Sequence, residues 1–338
     1  MPTSEQFDAC TSPYFHRGYN FPLWIIFGIG IFGFGLARAM YLDVDGTFAK
    51  DKIINGDWES WSSGHEHVGI VMHLATVIPA YFLVPWQFLP IIRYKFMLFH
   101  RVNGYILIIL LLLADVSAYM ILRTSMGGDL ATQTTLGLLG VYTITSVTLA
   151  FVDIKRLQID QHRAWIVRIW ILMGAPITQR IIQIPTYQIL TRIGTYYYPM
   201  ACHTIAYVTL NTAGPEASKA LLSRYGACRE DPINGVAAVN VNMGGTPEEI
   251  GVAISASFVP SLIVAFFLHA AGVELNLALT TAERDRLKQV SYEKQMARGW
   301  KRAGDAGLTP DKFGDLPQWY PAGSMVRRDS PSGSDTLL

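Results

Sequence analysis

Charge is what this sequence has least of. Charged side chains make up 16% of its 338 residues, whereas a soluble chain of this length carries about a quarter. A fully hydrated globular surface is therefore excluded. The net charge is only +1, and no basic stretch is interleaved with aromatics, so nucleic acid is not an expected partner. A Gly-x-Ser-x-Gly turn and a phosphate-binding loop are both missing, which removes two large enzyme classes. His65-Glu66-His67, with His73, looks metal-like, but the clustered histidine boxes of a membrane di-iron oxygenase are absent. That cluster reads as a solvated loop. No internal repeat of about 20 to 50 residues appears, and cysteine is scarce, at three.

What the chain has instead is apolar: 51% hydrophobic residues and a mean hydropathy of +0.26. These residues fall in blocks of about twenty, the length a helix needs to cross about 30 Å of hydrocarbon. The blocks are Phe21–Met40, Val68–Leu89, Asn103–Leu122, Thr134–Val152, Ala164–Ile184 and Val252–Ala271. The expected fold class is all-α, a polytopic transmembrane helix bundle of six spans (residues 21–271). The first twenty residues are polar, so no cleavable signal peptide is expected, and residues 1–20 form a cytosolic segment.

Loop charges set the orientation. Arg93, Lys95 and Arg101 lie between spans two and three, and Lys155, Arg156 and Arg163 between spans four and five. The opposite face carries Asp43, Asp45, Asp51, Asp57, Glu59 and Glu66 against Lys50 and Lys52. Lys and Arg mark the cytosolic side, so both termini are expected there. Arg38, at the far end of span one, is the exception. A tag near Glu216 is then expected to resist protease in sealed microsomes, while a tag after Leu338 is digested. Equal digestion of the two would overturn six crossings. Cys202 and Cys228 share the long outer loop 185–251, where a disulfide persists; Cys10 falls inside. That loop is apolar through Ile205–Leu210 and is expected to dip into the membrane or to cap the bundle. The tail, 272–338, reads as a charged helix on the membrane surface from Thr280 to about Arg302, and as disordered at its end.

Gly28, Gly30, Gly33 and Gly35 mimic a dinucleotide fingerprint. They lie inside an apolar span, not between a strand and a helix, so they serve close helix packing. The informative residues are the ionisable ones near or within spans, which are costly there. His73, Asp115 and Arg180 lie at similar depth and define an outer polar site, read as catalytic or proton-carrying. At 1.5 Å rise per residue, Asp115 lies about 10 Å and Arg180 about 6 Å deep, close enough for an ion pair. An inner layer holds His100-Arg101 and His162-Arg163, each opening a span, with Arg168 one to two turns further on. Gly104 shares a face with His100 and would admit a flat group. Two level histidines suit a bis-imidazole haem, with arginines for its propionates. The same residues also suit contact with lipid phosphate and water, or a catalytic pair without metal.

At His100–Tyr105 (HRVNGY) and His162–Arg168 (HRAWIVR), followed by Arg180, the chain resembles a multi-pass family of bacteria and fungi, the domain of unknown function 2306. Its pattern also has a His in the preceding span, here His73. This arrangement is similar to that of membrane b-type cytochromes and ferric reductases, which stack two histidine pairs. The likeness implies a membrane oxidoreductase with haem b on His100 and His162, and with Arg101, Arg163 and Arg168 nearby. His203 would complete an outer pair if its loop folds back. It further implies a lipophilic or quinol-like substrate, an electron donor, and a place in the endoplasmic reticulum or the plasma membrane, among membrane lipids. A proton-coupled transporter and a non-catalytic scaffold are the alternatives.

Overall fold

The computed structural model describes residues 24–301, 303, 304, 314 and 319–321. The polar N-terminal segment, with Cys10, and most of the distal tail lie outside the described residues.

Among the described residues, six helical segments are long and apolar enough to cross a membrane, and the chain is an integral, multi-pass, all-α membrane protein. Large apolar side chains point outward from them, such as Leu138 at 65% and Phe267 at 71% exposure, a surface that hydrocarbon rather than water solvates. The spans are α1 (Ile25–Leu42), α2 (Gly64–Gln87), α3 (Met97–Ile121), α4 (Leu130–Lys155), then α5 (Ile159–Leu172) with α6 (Ala175–Ile193), and α9 (Pro247–Leu279). Spans four to six run further than their apolar blocks at both ends, because backbone hydrogen bonding continues after hydropathy falls. The fifth span is broken: Gly174 caps α6 and Pro176 occupies its first turn, where a missing N–H costs nothing.

The chain divides into two compact units. The first holds residues up to 144 together with 170–270. Within it α2 and α3 form an antiparallel hairpin around Ala80, Val84 and Leu107. At its far end Gly69 lets the helices close, since a Cβ there would meet Ile121 and Met120 at 2.9 Å. Gly35 of α1 backs onto Tyr81 in the same way, whereas Gly30 and Gly33 face open space.

Residues 194–246 build a cap rather than a plain loop. Strands β1 (Tyr197–Ala201) and β2 (Val236–Asn240) pair antiparallel, Tyr197 opposite Asn240. Between them lie α7 (Cys202–Ala213) and α8 (Pro215–Arg224). A disulfide joins Cys202 to Cys228, as two cysteines in one long loop suggested. The Ile205–Leu210 run lies in α7, where Cys202, Ile205, Val208 and Thr209 are buried at helical spacing. Together with Met200, Ala237 and Val239 they make the cap's own core.

The second unit holds residues 145–169 and those from 271 onward. The tail helix is present, as α10 (Thr281–Ala297). It buries Leu287, Ser291 and Gln295, one stripe at i, i+4 and i+8. Gln295 donates to the Arg156 carbonyl (3.1 Å), and Ser291 Oγ receives the Ile159 amide (2.9 Å). This helix is thus pinned to the link between α4 and α5.

Candidate functional site

A polar seam inside the first unit joins α6 to α9. Gln179 and Gln183 stand one turn apart on α6 and are both buried. Gln179 Nε2 donates to Gln183 Oε1 at 2.9 Å, and Gln183 Nε2 donates to the Ile254 carbonyl (2.9 Å) and Ser257 Oγ (3.2 Å). Ser261 Oγ then donates to Thr186 at 3.1 Å. Buried amides must be satisfied in hydrocarbon, and small hydroxyl residues let the backbones close. Gln183 Oε1 also receives Arg180 Nη1 at 3.3 Å, which fixes the direction of that arginine.

Arg180 lies over the Phe258 ring, 5.9 Å from its centroid, and within electrostatic reach of Arg38, Asp51, Tyr41 and Asp57. Arg38, on α1, donates to the Tyr41 hydroxyl at 2.8 Å and stacks on the Phe34 and Tyr41 rings. The Tyr41 hydroxyl in turn reaches Asp51, and Asp51 pairs with Lys52 at 3.0 Å. Tyr81, on α2, lies within electrostatic reach of both guanidiniums. Among the described residues, neither Arg38 nor Arg180 has a carboxylate within the 4.0 Å of an ion pair. Hydropathy reading missed Arg38 and Tyr81. The one signal for Arg38 was that it broke the charge bias of the loops.

The expected Asp115–Arg180 ion pair does not form. Asp115 keeps Oδ2 buried without a hydrogen-bond partner, while Arg180 engages Gln183. His73 turns to α3, its Nδ1 3.2 Å from the Ala114 carbonyl and 3.4 Å from Ser117 Oγ. A carbonyl only accepts, so Nδ1 carries the proton and Nε2 is left as the basic nitrogen. His65 pairs with Glu66 at the surface, and His67 takes the Trp61 carbonyl. His203 is held by Glu59 at 2.9 Å.

Asp57 was also missed as more than a loop charge. It is 2% exposed, receives Asn55 Nδ2 at 2.6 Å and the Met126 amide at 2.8 Å, and receives the Gly127 amide too. Burial pushes its carboxyl up to about 6, against the pull of Lys52 and those donors. Asn55 and Gly127 also line a cavity of about 60 Å³ with Tyr198, Thr204, Val252 and Ser255.

The residues expected to hold haem are placed as follows. In the first unit His100 opens α3 and Arg101 is exposed. The space beside Gly104 is met by the Gln87 side chain, 3.6 Å from a Cβ built there, and Gln87 donates to the His100 carbonyl. In the second unit His162 Nδ1 binds the Ala150 carbonyl at 2.8 Å. Arg168 grips Glu274 through two hydrogen bonds, 2.6 and 3.0 Å, and Arg163 reaches Thr280 at 3.4 Å. A fork already on a carboxylate is less available to a propionate, and among these arginines that describes Arg168.

Residues 70–213 match the family model described as Predicted membrane protein (DUF2306). The match takes in Tyr81, Asp115, Arg180, Gln183 and the first helix of the cap, and stops short of Cys228. No curated protein and no solved structure matches the chain.

Proposed function

We propose that the protein is a proton-coupled carrier of a lipophilic small molecule with a polar head. The ligand is held on the cap side of the membrane among α1, α2, α6 and α9. The single observation behind this reading is the α6 face of Gln179, Arg180 and Gln183, satisfied on one side by α9 and turned on the other toward Arg38 and Tyr81. Intramembrane polar groups of this density mark ligand or ion pathways. Asp115, with a carboxylate oxygen buried and unpartnered, supplies a group that exchanges a proton instead of holding a salt bridge. The cap and the acidic loop face away from the cytosol in this reading, and α10 faces it. The haem-dependent alternative loses support because Arg168 is committed to Glu274; a dithionite difference spectrum without a Soret change is expected.

A photo-crosslinking side chain, p-benzoylphenylalanine, placed at position 258 tests the site in native membranes. Phe258 is 9% exposed beside Arg180, whereas Phe267 on the same helix is 71% exposed. Irradiation is expected to give a discrete small-molecule adduct at 258, and only bulk phospholipid at 267. The same adduct pattern at both positions, or none at 258, would overturn the reading.

A further inference from the structure

We infer that Arg38, Arg180 and Tyr81 form a cradle for an oxyanion, the phosphate or carboxylate head of the ligand. The inference rests on the site proposed above and adds its chemical class. Three helices each contribute one group, and all three groups are hydrogen-bond donors. A guanidinium carries five N–H bonds; Arg38 commits one to Tyr41 and Arg180 one to Gln183. Among the described residues, no hydrogen bond occupies the Tyr81 hydroxyl; its ring packs on Phe34, 5.5 Å between centroids, and it lies within electrostatic reach of both arginines.

The acids of the neighbourhood are committed elsewhere. Asp51 takes Lys52 and the Tyr41 hydroxyl. Asp57 takes Asn55, Met126 and Gly127. Three cations, Arg38, Lys52 and Arg180, thus stand against two carboxylates, both engaged. Two partly buried guanidiniums within reach of each other repel, and each loses hydration. An oxyanion between them removes both penalties, and planar guanidinium forks match its geometry. Phe34, Phe258 and the Tyr41 ring supply the apolar walls, which suits a head attached to a hydrocarbon chain.

The test uses the purified full chain in a nonionic detergent and follows its thermal unfolding midpoint. The probes are dioctanoyl phosphatidate, dioctanoyl phosphatidylcholine and inorganic phosphate. Phosphatidate is expected to raise the midpoint saturably, and phosphatidylcholine with the same chains is not. A response to inorganic phosphate at similar concentration assigns a free anion; a response only to phosphatidate assigns an amphiphile. Arg38→Gln, Arg180→Lys and Tyr81→Phe are each expected to weaken the apparent affinity about tenfold or more, as losing a charge-assisted hydrogen bond implies. Lys219→Gln, on the exposed face of the cap, should leave it unchanged. Equal stabilisation by the two lipids, or equal affinity in wild type and Arg38→Gln, overturns the anion class. If the photo-adduct at 258 survives that result, the binding site stands with an uncharged ligand. If it does not, the site falls too.

Discussion

Replacing Cys202 and Cys228 together with alanine is expected to weaken the cap by about 3.5 kcal/mol, the chain-entropy value for a loop of this size. The two cysteines are 26 residues apart in sequence, and the closed loop contains all of α7 and α8. Besides the bridge, polar contacts restrain this loop: the Cys202 amide donates to the Gly235 carbonyl, Ser218 donates to the Ala206 carbonyl, Tyr225 donates to Glu248, and Glu59 holds His203 and Thr204. Both sulfurs lie in the cap core beside Ile205, Val208 and Val239, so alanine preserves the apolar character and isolates the effect of the cross-link. The measurement is limited proteolysis of the purified protein. Cleavage between residues 214 and 235 is expected to accelerate in the double variant and in reduced wild type alike. An unchanged cleavage rate in both would mean that cap packing alone sets the stability. Thiol counting offers an independent check, because the chain has three cysteines. One is expected to label with maleimide before reduction and three after it.

The six spans were legible because hydrocarbon thickness imposes a length that any sequence must meet, and the cap disulfide because two cysteines shared one loop. The site was only half legible, and Asp115 with Arg180 shows why. Depth along a helix follows from counting residues at 1.5 Å each, and that count gives these two similar depths. Meeting also requires that both side chains turn toward each other. On α3 the buried positions are Asn103, Leu107, Leu111, Ala114, Ser117 and Ile121, which leaves Asp115 beside the stripe and not on it. Arg180 follows Gln179 and Gln183 toward α9 and then toward Arg38. Apolar blocks do not encode that rotation. Ser257 and Ser261 carry no signal of their own within an apolar run, and their role appears only once Gln183 and Thr186 stand opposite them. Arg38 was visible as an anomaly of loop charge, but counting charges cannot distinguish an exception from a binding group.

Replacing Asp57 is expected to be the most damaging single change outside the spans, and its signature is a pH dependence. Met126, Gly127 and Gly128 all have positive φ, at 53°, 85° and 68°. Only glycine adopts that region freely, so Met126 must be held in it. A run of this kind aims successive amides at one point, and Asp57 sits there, tying the loop after α1 to the loop after α3. Asp57→Ala strands the Met126 and Gly127 amides and the Asn55 side chain. At about 1–3 kcal/mol for each buried group left unpaired, the loss should reach about 3 kcal/mol. Asp57→Asn keeps an acceptor for Met126 and should cost less. The carboxyl is raised from 3.8 to about 6 by burial, so in the folded protein it holds its proton to higher pH than in the unfolded chain. Stability from this group is therefore greatest below about pH 4, falls as pH rises between about 4 and 6, and is flat above that. The whole excursion corresponds to about 3 kcal/mol. Unfolding midpoints measured at pH 5 and pH 7.5 should differ more in wild type, with pH 5 the more stable, than in Asp57→Asn. Parallel midpoints in the two proteins would show that Asp57 does not carry the proton. Accelerated cleavage at Gly127–Gly128 in Asp57→Ala, but not in Asp57→Asn, would still locate the latch between the two loops.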